Sequence, residues 1–363
     1  MEKKQKKEYV QIIIFSILIV VLSLSTIWTK QISKGIKNLL FKSDLRVNND
    51  LVVHFIDVGQ GDGIAVKFPN QQVMLIDAGP KFSQNYIVDY IKSNVLSSDN
   101  DLVIDYMILT HPDIDHSGGM SAIFEEFSVK KFFRPNIASV SENVDDFTTN
   151  SNFIEYGEVI NRAYGESDIE INIINQNYEF CVGDVSIKIF APIKVYETTN
   201  EMSPLIKITY LNKSFLFAGD IEFEGENDML NTYVDELNID VLKVSHHGSN
   251  DATSTRFIKS TSPDYAIISV GSNAYGHPSF STIANLQSFK AEVLTTKQGA
   301  IRFVCSDNYF GILNNKVTHS YQYIAWWPIV ICINVVLTIF LVKVVIKTIK
   351  SKRLDIENNK KSA

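Results

Sequence analysis

The chain has 363 residues, 45% of them hydrophobic and 21% charged, enough for a packed domain with segments to spare. Its net charge of −7 is uneven: residues 1–49 and 317–363 are basic, and the stretch 50–316 between them holds 18 basic and 36 acidic residues, a net charge of −18. With three cysteines and no C-x-x-C pair, a cysteine zinc knuckle and a thioredoxin-type redox site are excluded. Cys181 and Cys305 read as two small core residues and not as a disulfide.

In chain order, residues 1–8 form a basic tail. Residues 9–28 are uncharged and long enough to cross a hydrocarbon core of roughly 30 Å as a helix. A cleaved signal peptide would have a shorter apolar stretch and a small-residue cleavage site. Ile27, Trp28 and Thr29 stand there instead, which points to an uncleaved anchor. Residues 29–49 are a polar linker, and residues 50–316 form the soluble body.

Within that body, strands are expected at 51–58, 64–68 and 73–76, with the glycine-rich loop GQGDG at 59–63 and a turn at 69–72. A helix at 86–95 precedes a strand at 106–110 and a helix at 117–127 with Ser117 as its N-cap. Residues 138–177 are polar and weakly patterned and read as an insertion or long loops. Strands follow at 180–182, 185–190, 205–211 and 214–217, a helix at 224–237, and strands at 241–244 and 265–269. A helix at 281–289 and strands at 293–296 and 300–305 close the body. Runs of strands with helices between them imply two sheets covered by helices.

A second span is expected at 321–345. Residues 324–342 are uncharged, Tyr321, Tyr323, Trp326 and Trp327 mark its start, and a basic tail at 346–363 follows. Both basic flanks lie at the outer ends. The positive-inside rule therefore places both termini in the cytoplasm and the body outside, with the cell membrane as partner. No protein partner is identifiable.

Four of the seven histidines fall in two clusters, each just after a short apolar strand. In the first, His111, Asp113, Asp115 and His116 lie within six residues. His111 and Asp113, two apart, can reach one point, and Asp115 and His116 a second as the chain turns. Imidazole and carboxylate donors suit zinc, and the carboxylate share also suits manganese. Asp220 ends a strand after a glycine and can bridge two ions. In Ser245-His246-His247-Gly248, consecutive side chains point apart, so one histidine faces metal and the other, with Ser249, substrate. His246, nearer the strand end, is favoured as the ligand. His54, in an apolar strand, reads as a core or supporting residue. His277 is ambiguous by spacing.

The segment His111-Pro112-Asp113-Ile114-Asp115-His116 resembles the H-x-[HD]-x-D-H signature of the metallo-β-lactamase superfamily. HFIDVGQGDG (54–63), LIDAG (75–79), LTHPDIDHSGG (109–119), FAGD (217–220), LKVSHHGS (242–249), YGHPS (275–279) and TTKQGAIRF (295–303) together resemble ComEC-type hydrolase domains, in that family's order. The resemblance implies an α/β fold, a four-layer αββα sandwich. It implies one or two divalent ions, Zn2+ or Mn2+, held by His111, Asp113, Asp115, His116, Asp220 and His246 or His247. Asp115, His247 and His277 are then the catalytic candidates. The implied activity is hydrolysis, foremost of a phosphodiester in nucleic acid or a cell-surface polymer. Two departures stand out. The family's channel helices are missing from this stretch, and no histidine lies between His116 and His246, where the superfamily has a further ligand. Asn200 or Ser203 falls near that place.

Overall fold

The computed structural model describes residues 49–96, 102–137 and 154–313. Both expected spans and both basic tails lie outside these residues, as does nearly all of the linker. Among the described residues, no helix is long and apolar enough to cross a membrane.

Strands β1 (Leu51–Phe55), β2 (Gly63–Lys67) and β3 (Val73–Ala78) form an antiparallel meander. Helix α1 (Gln84–Tyr90) then leads to β4 (Val103–Ile108). The short helices α2 (Ile114–Ser117) and α3 (Met120–Glu126) lead to β5 (Ser128–Pro135), and α4 (Ile154–Gly165) to β6 (Glu170–Ile174). From β3 to β6 the neighbours are parallel, as strands joined by crossovers with helices can be. The second half repeats this plan. β7 (Tyr178–Val182), β8 (Val185–Phe190), β9 (Leu205–Tyr210) and β10 (Lys213–Phe217) are antiparallel. Helix α5 (Phe223–Tyr233), β11 (Val241–Lys243), α6 (Thr255–Thr261), β12 (Tyr265–Ile268), α7 (Phe280–Ser288) and β13 (Glu292–Thr295) continue with parallel pairing. Finally β14 (Ile301–Cys305) and β15 (Phe310–Ile312) return to pair beside β1.

Among the described residues the sheets have the orders β15-β14-β1-β2-β3-β4-β5-β6 and β13-β12-β11-β10-β9-β8-β7. Side-chain alternation assigns each strand's two faces to different cores. Phe215 and Phe217 enter the core between the sheets, while Leu216 enters the core beneath α5, α6 and α7. A third core, with Leu75, Met107 and Phe132, lies under α1, α3 and α4. Three cores make four layers, α/β/β/α, as expected. The sheets meet through aromatic rings such as Phe55 and Phe217, with centroids 6.0 Å apart. Burial of each such ring contributes about 1.5–3 kcal/mol.

Several local expectations are corrected. The helix expected at 117–127 is two short helices. Ser117 lies inside the first and donates its hydroxyl to the Pro112 carbonyl instead of capping, and Gly119 is the N-cap of α3. Part of the weakly patterned 138–177 stretch is regular, as α4 and β6. Residues 138–153 lie outside the described residues. Cys181 is exposed, so only Cys305 is a core residue, and both are free thiols. His54 is buried, with its Nδ1 3.0 Å from the Tyr90 hydroxyl.

Candidate metal centre

The carboxyl ends of β3, β4, β10, β11 and β12 face one another across the two sheets, where open α/β sheets place their sites. From the first sheet come Asp77 at the end of β3, His111 and Asp113 after β4, and Asp115 and His116 in α2. From the second come Asp220 after β10 and His246 and His247 after β11.

Asp220 stands between two sets of donors, within 4 Å of His111, His116 and His247. In the first, His111 Nε2 is 3.9 Å from Asp220 Oδ2 and 4.0 Å from Asp113 Oδ2. In the second, His247 Nε2 is 3.2 Å from Asp115 Oδ2, 3.3 Å from Asp220 Oδ2 and 3.3 Å from His116 Nε2. His116 Nε2 is also 3.3 Å from Asp220 Oδ1. Donors bound about 2.0–2.2 Å from one ion stand about 3–4 Å apart, so these separations fit. His111 Nε2 and Asp220 Oδ1 are buried without a hydrogen-bond partner, as groups meant for a cation would be.

The far ring nitrogens fix how the imidazoles point. His116 Nδ1 is 2.8 Å from Asp77 Oδ2, and His247 Nδ1 donates to the Ser269 carbonyl at 2.9 Å. With Nδ1 committed, Nε2 is turned into the cluster. Asp77 also accepts the Thr110 backbone N–H at 2.8 Å and its hydroxyl at 2.7 Å.

The electrostatics favour positive charge at His116 and His247, whereas burial and the neighbouring His116 hold His111 below the ordinary imidazole value. Burial opposes the charged form of His116, yet Asp220 and Asp77 hold its pKa well above the ordinary imidazole value. Burial likewise opposes His247, but Asp220 and the hydrogen bond that His247 donates to Asp115 raise it to about 9. For Asp220 and Asp115 burial favours the proton, but the neighbouring histidines keep both pKa values below the usual carboxylate range.

The geometry brings together His111, Asp113, Asp115, His116, Asp220 and His247. His246, favoured from the sequence as the ligand, stands further out. Its Nε2 is 3.9 Å from Asp220 Oδ2, and its Nδ1 is 3.4 Å from both Glu222 Oε1 and Asp251 Oδ1. His277 stacks edge-on to His246 with centroids 5.3 Å apart, and exposed Tyr275 lies 5.8 Å beyond. Rings thus lead from the donor cluster to the surface. Ser249 is buried. Where the superfamily has its further histidine, buried Ser203 places its Oγ 3.4 Å from His111 Nδ1, while Asn200 donates to Glu222. Sequence reasoning gave no role to Asp62, Asp77, Thr199 or Lys243. Thr199 donates to Asp113 at 2.9 Å, and Lys243 is ion-paired to Asp62.

The comparisons agree with this architecture. The family model described as the metallo-beta-lactamase superfamily matches residues 56–272. The chain is similar to ComE operon protein 3 of Bacillus subtilis, 30% identical over 266 residues, covering 69% of this chain and 32% of that protein. It is similar to Recombination protein 2 of Haemophilus influenzae, 26% identical over 245 residues, covering 67% and 27%. The chain therefore spans about a third of the length of the curated relatives it matches. Among solved structures it is similar to the metallo-beta-lactamase fold protein YhfI from Bacillus subtilis, with a TM-score of 0.44 and 12% identity, covering 70% of this chain and 100% of that one. On the matched family model, with the fold and the convergent histidines and aspartates, the chain belongs to the metallo-β-lactamase superfamily.

Proposed function

We propose that this protein is a membrane-anchored, metal-dependent phosphodiesterase. The observation that carries the reading is the buried cluster in which Asp220 stands between two sets of donors, within 4 Å of His111, His116 and His247. One group would comprise His111, Asp113 and Asp220, and the other Asp115, His116, Asp220 and His247. Zinc or manganese is the expected metal, because imidazole and carboxylate donors are balanced. Bound divalent metal supplies Lewis acidity toward a phosphoryl oxygen and lowers the pKa of water. Asp220 fixes the spacing of the two groups, while Asp77 and Ser269 orient the imidazoles of His116 and His247. His246 and His277, further out, face the path by which substrate enters.

The names of the curated relatives refer to the ComE operon and to recombination, and the second supports a nucleic-acid phosphodiester. The net charge of −18 across residues 50–316 instead favours a small phosphodiester over a long polyanion such as DNA.

The test is a phosphodiester panel with defined metals. The wild-type chain should bind one to two ions and lose turnover with a chelator. Asp115→Ala and His247→Ala should lose metal and lower turnover more than about 100-fold. His246→Ala should keep metal and lose turnover. Elemental analysis showing full metal in Asp115→Ala would sink the reading, and metal loss in His246→Ala but not His247→Ala would reverse the two histidines.

The two apolar segments, 9–28 and 321–345, are proposed as anchors, with both termini cytoplasmic and the body outside. A cysteine introduced at Asn150 should react with an impermeant reagent on intact cells and one at Lys360 should not. The opposite pattern would move the enzyme into the cytoplasm.

A further inference from the structure

Lys243 has no exposed surface, a position costly for an ammonium unless it is paired. It ends β11 on the face turned toward the other sheet. Val241, two residues back, lies in the inter-sheet core, and Leu242 between them faces the outer helices. The Lys243 ammonium pairs with buried Asp62 from the β1–β2 loop, donates to the Gly219 carbonyl at 3.2 Å and stands 3.8 Å from Asp220 Oδ1.

Asp62 is itself tied to the first sheet's ligand segments. Its backbone N–H donates to the Asp115 carbonyl at 3.1 Å, and its carbonyl accepts the Gly79 N–H at 2.6 Å. One ammonium therefore joins two sets of groups. On the second sheet it meets the carboxylate that stands between the two sets of donors. On the first it meets the loop braced against Asp115 and against the turn after Asp77. Five carboxylates crowd this region: Asp62, Asp77, Asp113, Asp115 and Asp220. With no internal cation they would push the two sheets' loops apart.

We propose that Lys243 is a positioning residue that assembles the metal centre before metal arrives, holding the ligands of the two sheets at their working separation through Asp62 and Asp220. The proposal rests on the reading of this cluster as a metal centre. Two effects of the ammonium oppose each other, and their signs differ. Direct repulsion of an incoming cation would make metal bind more weakly in its presence. Positioning makes metal bind more tightly. Positioning is the larger effect, because Asp220 serves both donor groups and a misplaced shared ligand weakens both.

The test is metal affinity, measured on the full chain with Zn2+ and Mn2+ against a competing chelator dye, alongside thermal stability of the metal-free chain. Lys243→Met should weaken metal binding by about 10–100-fold, the range for groups that orient ligands. It should also lower metal-free stability, because buried Asp62 loses its paired ammonium and keeps only His247 Nδ1 at 3.6 Å and His116 Nδ1 at 3.9 Å beside it. The double variant Lys243→Met/Asp62→Asn removes that charge. It should regain most of the stability but not the metal affinity. A simple structural ion pair would regain both, and that result overturns the proposal. Unchanged or tighter metal binding in Lys243→Met also overturns it. A variant-free measurement stands beside these. After chelation of the wild-type chain, hydrogen exchange should leave the amides of Asp62, Gly79 and His246 protected, and their free exchange would show that the centre assembles only with metal. If wild-type protein binds metal but these outcomes fail, only the role of Lys243 falls. If it binds none, the metal reading falls with it.

Discussion

Glu226 has no exposed surface on α5, yet it takes up hydrogen bonds from two other segments. Its carboxylate accepts the backbone N–H groups of Thr253 and Ser254, the latter at 2.8 Å, and the hydroxyl of Ser245 at 3.4 Å. It thereby fastens the residue that opens the His246–His247 turn to the start of α6. Burial pushes its pKa up to about 7, against the lowering effect of the N–H donors. The folded value lies above the unfolded one, so the native state holds the proton more tightly. The associated stability is fully present below about pH 4.5 and is lost as pH rises to about 7, by an amount on the order of 3 kcal/mol. Glutamine at this position has no proton to lose. With metal conditions held fixed, the melting temperature of wild type relative to Glu226→Gln should fall as pH is raised from 5 to 7.5. A difference that stays constant across that range would show that Glu226 does not titrate within it.

At the scale of elements, what the sequence showed depended on whether a signal was local. The strands β1, β3, β8 and β10 carry unbroken or alternating apolar runs. The candidate ligands His111, Asp113, Asp115 and His116 come shortly after β4 and Asp220 shortly after β10, so the fold and the segments of the candidate site were legible. The order of His246 and His247 could not be. The expectation assumed that the strand's direction persists past Val244, but both histidines adopt left-handed backbone, with φ of 47° and 51°. The chain curls back at that point, which carries His247 into the cluster and His246 outward. β6 was hidden because it is an edge strand, mostly half-exposed, and so lacks the apolar signal of a buried strand. α6 had a local signal that went unused: Ser254 Oγ caps it by accepting the Phe257 N–H at 3.1 Å. Lys243 and Asp62 were illegible for a different reason. Each is unremarkable in its own segment, and only the approach of the two sheets makes them partners. Gly61 shows a close backbone approach within the first sheet's own loops. Its φ is +132°, and an added Cβ would lie 2.2 Å from the Asp115 carbonyl oxygen, so the GQGDG loop can brace α2 only with glycine there.

For the whole molecule the deciding quantity is charge. The stretch 50–316 carries a net −18, and divalent ions in the centre would offset only about +2 to +4 of it. A local basic stripe could still override that average. One such stretch in the sequence lies at Lys130, Lys131 and Arg134. In the fold, however, Lys130 pairs with Asp105 at 2.7 Å and Lys131 with Glu170 at 2.8 Å. Arg134 is turned toward the hydroxyls of Tyr156 and Tyr164. Two of the three charges are thus already answered by carboxylates. Long polyanions bind proteins mainly by releasing counterions to basic side chains, so their affinity is greatest at low salt and falls as salt rises. Here repulsion should dominate at low salt, where screening is weakest. The metal-loaded protein is therefore expected to cleave small phosphodiesters while showing no tight binding to duplex DNA at any salt concentration. The measurement is DNA affinity from about 20 to 200 mM salt, a range over which the screening length shortens about threefold. Submicromolar binding that weakens steeply across that range would show that a basic surface outweighs the net charge, and would make long DNA the substrate.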